Sequence, residues 1–184
     1  MHMATKTQSW TRSDLARLPD DGNRYEVLDG QLYVTPLPAF PHQAIAMRLG
    51  ALLLTYVDRH RLGIVVGPGS VIVGDDELQP DVAVFPVTAP RLGQKWKALP
   101  RPLLVVEVLS HTTRRRDLEF KRRAYQAWRI PTYWVIDRFE PRALVWSPTD
   151  AASTIVTDAL RWRPRQDVDA LVVSLADIGL GEPA

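Results

Sequence analysis

Pro102-Leu103-Leu104-Val105-Val106-Glu107-Val108-Leu109 is a near-continuous apolar run interrupted by one carboxylate. Apolar side chains on both parities are the signature of a strand buried on both faces. After it, Arg114 to Arg129 reads as a helix that Pro131 ends, and Thr132 to Ile136 reads as a second strand. Strand, helix and strand with short joints predict a parallel crossover, normally right-handed. The fold class that follows is α/β, a central mixed β-sheet flanked by helices in a single domain.

Working upstream, Tyr25 to Leu28 and Gln31 to Val34 are strand-like runs around Asp29-Gly30, the strongest short-range hairpin signal. Ser9 to Leu15 reads as a short helix capped by Thr11 or Ser13. Pro36 to Pro41 is a proline-rich connector. From His42 to His60, Ile45, Leu49, Leu52, Leu53 and Tyr56 recur at helical spacing, with Gly63 as the expected stop. Ile64 to Val66 and Ser70 to Val73 read as strands, Gly74 to Glu77 as a turn, Pro80 to Phe85 as a strand and Thr88 to Arg101 as a loop. Downstream, Arg142 to Trp146 and Thr154 to Trp162 read as outer strands. The expected domain core spans about residues 10–146, with C-terminal strands and a tail over 147–184.

Composition narrows the chemistry. A chain of 184 residues can bury a core of its own. It has no cysteine, which excludes disulfides, zinc–thiolate sites and thiol nucleophiles and leaves oxygen or imidazole to hold any metal. No run of eighteen apolar residues occurs, so no membrane partner is expected. The N-terminal stretch does not read as a signal peptide, and a cytoplasmic location is the expectation. Net charge is only +2, so any anion-binding surface must be local, as in Arg114-Arg115-Arg116.

Glu107 is the most informative residue, because a carboxylate in so apolar a strand is costly to bury unless paired or metal-bound. Asp81, after Pro80 at the start of a strand, gains meaning as its partner: carboxylates on neighbouring strands suit Mg²⁺ or Mn²⁺. Asp117, Lys121 and Tyr125 follow at i, i+4 and i+8 and share a helix face. Two readings stand for that set, a surface ion pair or a lysine brought to the carboxylates.

Pro80-Asp81, Glu107 within an apolar strand and a basic helix resemble the PD-(D/E)XK nuclease superfamily. More narrowly, Arg24 to Gly30, Val105 to Asp117, and Pro131 to Asp137 resemble successive blocks of the Uma-two family of restriction-endonuclease-like proteins. The resemblance implies a metal-dependent endonuclease acting on DNA, or alternatively RNA. Asp81, Glu107 and the backbone carbonyl of Val108 would hold Mg²⁺ or Mn²⁺. Lys121 would stabilise the transition state, with Asp117 orienting it. Glu26 would be an additional acidic residue, and a simple strand carboxylate is its other reading. Arg114, Arg115, Arg116 and His42 would contact nucleic acid, and His42 has a capping reading too. A homodimer is expected by analogy. Two positions depart from the pattern. Leu109 stands where the superfamily has its lysine, and His111 stands where the family has a proline. The second reading is therefore a nuclease fold acting only as a binding or interaction module. A serine hydrolase and a nucleotide-binding fold both lack their motifs here.

Overall fold

A computed structural model of the chain describes residues 9–86 and 93–181. In chain order the elements are α1 (Arg12–Leu15), β1 (Arg24–Leu28), β2 (Gln31–Thr35), α2 (Phe40–Arg59), β3 (Ile64–Val66), β4 (Val71–Val73), β5 (Asp76–Leu78) and β6 (Val82–Phe85). A 3₁₀ turn (Trp96–Ala98) precedes β7 (Leu104–Val108), and a π-helical segment (Arg116–Lys121) runs into α3 (Arg122–Ala127). Then come β8 (Thr132–Asp137), β9 (Arg142–Trp146), β10 (Thr154–Val156), β11 (Ala159–Trp162), β12 (Leu171–Ser174) and a final 3₁₀ turn (Ala176–Ile178). No described helix is long and apolar enough to cross a membrane.

The main sheet has the order β10-β9-β8-β7-β6-β3. The predicted crossover is present: β7 and β8 pair in parallel with Val106 beside Trp134, while the other pairs of this sheet are antiparallel. A smaller sheet, β2-β1-β5-β4, begins with the predicted hairpin, in which Asp29 and Gly30 take positive φ of 50° and 73°. That conformation suits a two-residue turn of this kind.

Four local expectations need correction. Only Gly74 and Asp75 form the turn after β4, because Val73 pairs with Asp76, so Asp76 and Glu77 belong to β5. Helix α2 does not stop on Gly63. Arg61 takes the left-handed conformation at φ 50°, and the Leu62 N–H donates to the Val57 carbonyl at 3.0 Å, as in a Schellman closure. Gly63 serves packing instead: a Cβ there would lie 1.9 Å from the Phe85 carbonyl oxygen. Thr154 to Trp162 divides into β10, on the edge of the main sheet, and β11, which pairs with β12. Within Thr88 to Arg101, residues 88–92 lie outside the described residues, and Trp96–Ala98 is a 3₁₀ turn. Of the two candidate caps for α1, Thr11 is the N-cap, and its N–H donates to the Asp14 carboxylate at 2.9 Å.

The alternation of β7 divides the core and so positions the site. Leu104, Val106 and Val108 join Leu49, Leu53 and Val57 of α2 on one face, together with Leu160, Trp162, Val173 and Ile178 from the C-terminal segment. Val105 packs on the opposite face with Tyr125, Trp128 and Tyr133. Along β6, Val82 and Val84 face α2, while Ala83 and Phe85 face the other way. Glu107 has the parity of Val105, and Asp81 that of Ala83. With Val82 opposite Val106, the register places Asp81 across from Glu107, on the same face.

Candidate active site

Asp81 and Glu107 both line a cavity of about 280 Å³, with Arg24 from β1, Leu37 from the β2–α2 connector, His42 from α2, and Arg116 and Asp117 from the π-helical segment. Both carboxylates are nearly buried, Asp81 at 7% exposure and Glu107 at 2%. Such groups must be compensated, and each is.

Three donors converge on Asp81. Arg24 Nη1 donates to Oδ1 at 2.8 Å, the Val108 N–H donates to Oδ2 at 2.8 Å, and His42 Nε2 lies 3.1 Å from Oδ2. Burial alone would raise this carboxyl. The His42 hydrogen bond, the Arg24 charge and the Val108 N–H override burial and lower it to about 2. Asp81 is therefore ionised at neutral pH.

Glu107 is held differently. Lys121 Nζ donates to Oε1 at 2.8 Å, and the Tyr125 hydroxyl donates to the same oxygen at 3.1 Å. Burial pushes this carboxyl up to about 8; Lys121 opposes the shift, and nearby Asp117, Asp81 and Glu26 add to it. Lys121 is 1% exposed and also meets Glu26 Oε1 at 2.7 Å and Asp117 Oδ1 at 3.9 Å. Burial would lower the ammonium, but Glu107, Glu26 and Asp117 more than offset it and hold its pKa above the ordinary value. Burial likewise pushes Asp117 up to about 6, against Lys121, the Thr113 hydrogen bond and Arg116. Glu26 remains below its ordinary value because Lys121, Arg116 and the Gln79 N–H outweigh its burial.

The π-helical segment carries both Asp117 and Lys121. Wider turns of this type cluster at functional positions, where they re-aim side chains. Here Asp117, Lys121 and Tyr125 reach one place, as their predicted common face requires. Leu109, at the position where a lysine is expected, is fully buried among apolar side chains. The cation beside Glu107 comes from the following helix.

The remaining sequence candidates divide. Arg116 turns inward, donating from Nη2 to Thr35 Oγ1 at 2.7 Å and lying 3.3 Å from Glu26. Arg114 pairs with Asp137 at 3.1 Å and Glu140 at 3.5 Å, and Arg115, 77% exposed, pairs with Glu119 at 3.3 Å. His42 is buried beneath Asp81 and does not sit on the surface. His111 lines the cavity and packs against Phe139, with ring centroids 4.0 Å apart and the rings tilted by 37°. The Tyr133 hydroxyl donates to the Asp117 carbonyl, and Asp137 closes β8 by accepting from the N–H groups of Phe139 and Glu140. Sequence reasoning overlooks Arg24 and Thr35. Arg24 lies 57 positions from its partner, so no local pattern signals the pair.

The chain was compared with known proteins. The family model described as Uma2, "Putative restriction endonuclease", matches residues 12–173. No curated protein matches. Among solved structures, an Anabaena variabilis protein described as "a putative nuclease belonging to DUF820" superposes with a TM-score of 0.73 at 18% identity, over 91% of this chain and 96% of that one. At that identity the likeness shows a common fold.

Proposed function

Because this chain belongs to the Uma2 family, we propose that it is a Mg²⁺- or Mn²⁺-dependent endonuclease that hydrolyses phosphodiester bonds in DNA. The observation that carries this reading is the convergence of Asp81 and Glu107 on one sheet face, in one cavity, with Lys121 Nζ 2.8 Å from Glu107.

The donor chemistry fits a hard divalent ion. Among the described residues no three acidic or histidine side chains form a ready cage. Asp81, Glu107 and the Val108 carbonyl would therefore hold the ion with water completing its shell, as Mg²⁺ prefers. When bound, the ion supplies charge neutralisation at the scissile phosphate and a water of lowered pKa. The protein does the rest. Arg24, His42 and the Val108 N–H keep Asp81 anionic. Lys121 supplies a fixed positive charge that needs no reorganisation as negative charge develops. Glu26, itself fixed by the Gln79 N–H at 2.7 Å, holds the second side of that ammonium. Cutting both strands of a duplex calls for two such sites, which a two-fold homodimer would supply.

A second reading is a nucleic-acid-binding or interaction module without turnover. The observation favouring it is that every carboxylate of the cluster already has an internal cation. Plasmid cleavage with Mg²⁺ or Mn²⁺, with and without chelator, separates the two. The endonuclease reading requires nicking that disappears with chelator and in Glu107→Gln. Equal cleavage by that variant would refute this site, and binding without cleavage would favour the module.

A further inference from the structure

Three arginines line the cavity that holds Asp81 and Glu107, and they are not equivalent. Three carboxylates, Asp81, Glu107 and Asp117, line it as well, so the walls carry no net excess of positive charge. What differs is which cations are engaged. Arg24 lies 2.8 Å from Asp81, and Arg116 lies 3.3 Å from Glu26. Arg138 meets no carboxylate among the described residues. The acids nearest to it in sequence are taken by other arginines. Asp137 pairs with Arg114 at 3.1 Å and Arg142 at 3.6 Å, and Glu140 pairs with the same two at 3.5 and 3.0 Å.

The Arg138 guanidinium is nevertheless held in place. Its Nε donates to the Leu109 carbonyl at 3.2 Å, and its carbon sits 4.2 Å from the centre of the Phe139 ring. That ring is braced in turn by His111, 4.0 Å away between centroids, at the position where the family pattern has a proline. A backbone carbonyl and an aromatic ring thus fix the guanidinium by one edge and by its face. Both Nη groups are left without a hydrogen-bond partner among the described residues. A planar fork with its donors free matches the oxygens of a phosphate, and its fixed orientation reduces the entropy lost on binding. Its anchor, Leu109, directly follows Val108, whose carbonyl would help hold the ion.

The cations around Asp81 and Glu107 already serve those carboxylates, and so serve the ion and the scissile phosphate. Arg138 touches neither carboxylate. Resting on the nuclease reading above, we infer that Arg138, braced by Phe139 and His111, is a clamp for a second phosphate of the same DNA strand, the neighbour of the one that is cut. It is a positioning residue: it registers the strand so that the scissile phosphate lies at the ion.

The test uses the full chain and DNA oligonucleotides. Arg138→Met keeps the stem over Phe139 and removes the charge, and circular dichroism checks the fold. With Ca²⁺ in place of Mg²⁺, binding is followed by fluorescence anisotropy as salt is raised. Loss of one phosphate contact should reduce the slope of log affinity against log salt by about 0.9, and Arg138→Lys should restore most of it. A residue that merely supports the fold would weaken binding without moving the slope. With Mg²⁺, Arg138→Met should raise KM roughly tenfold and change kcat by less than about twofold. A neutral methylphosphonate at the phosphate next to the cut should weaken wild type by a similar factor and Arg138→Met far less, because the two changes remove one interaction. Its effect on wild type is read whether or not the variant folds. An unchanged slope, no methylphosphonate effect on wild type, or equal methylphosphonate losses in both proteins would overturn the clamp. A reduced slope without any cleavage would keep the clamp and defeat the nuclease reading. Glu107-dependent cleavage with an unchanged slope would do the reverse, and failure of wild type to bind DNA would overturn both.

Discussion

Replacing Lys121 by Met tests whether the cluster is held by its charge. The side chain keeps most of its volume and loses the ammonium that touches Glu26 at 2.7 Å and Glu107 at 2.8 Å, with Asp117 at 3.9 Å. Removing one partner of a buried ion pair costs about 3–5 kcal/mol. That is a large part of the roughly 5–15 kcal/mol that holds a domain folded. With a urea slope near 2.5 kcal/mol per molar, the midpoint at pH 8 should fall by about 1–2 M. The sign with pH follows from the carboxyls left behind. Glu107 and Asp117 are already raised to about 8 and about 6 with the lysine present, and removing it raises them further. A carboxyl raised in the folded state contributes stability that is complete below its unfolded pKa and is lost as pH rises through the folded one. Wild type also gains through Glu107 as pH falls from 8, so the deficit should narrow toward pH 5.5 only by what Asp117 and Glu26 add once their cation is gone. Urea unfolding followed by tryptophan fluorescence at both pH values is the assay. A deficit under about 1 kcal/mol at pH 8, or one that widens on acidification, would refute the claim that Lys121 neutralises this cluster.

Further perturbations read the remaining parts of the site. Asp81→Asn should cost about 2 kcal/mol at neutral pH, because the carboxyl is lowered from 3.8 to about 2. A lowered pKa contributes above the unfolded value, so in acid titrations the gap from wild type should close between pH 4 and 2. Glu107→Gln should flatten the fall in stability of the wild type between pH 4.5 and 8, the window set by its raised carboxyl, as scanning calorimetry would show. Mg²⁺ at about 100 times its dissociation constant should stabilise wild type by roughly 2.7 kcal/mol, and that melting shift should be absent in Asp81→Asn. Gly67→Ala would set a Cβ 2.5 Å from the Asp81 carbonyl oxygen, and it should lower both the melting temperature and the Mg²⁺-induced shift.

What the sequence makes legible here is whatever one segment can encode. The parity of Leu103 to Leu109 marks a strand buried on both faces, and the carboxylate that interrupts it lies in the cavity with Asp81. Asp29-Gly30 specifies its hairpin, and Asp117, Lys121 and Tyr125 announce a common face. Pairings across the fold leave no such trace. Nothing near Arg24 indicates that it will meet Asp81, and nothing in Arg114-Arg115-Arg116 reveals that one arginine faces Glu26 and another Asp137. The split of Thr154 to Trp162 between two sheets is hidden for the same reason, since alternation describes a strand and not its partner.

The placement of Lys121 beside Glu107 follows from these constraints taken together. Leu109 shares the parity of Glu107, so its side chain enters the face packed by Tyr125, Trp128 and Tyr133. A lysine there would need a polar outlet in an apolar cluster. The helix after β7 passes over the same carboxylate, and its π-helical segment lets Lys121 reach down while Asp117 and Glu26 complete its coordination. The charge thus arrives at Glu107 without a break in the apolar strand, and the strand can be buried on both faces. The arrangement makes the site depend on the helix. Whatever unwinds the π-helical segment withdraws the cation from Glu107, so order in residues 116–121 and charge balance at the carboxylates rise and fall together.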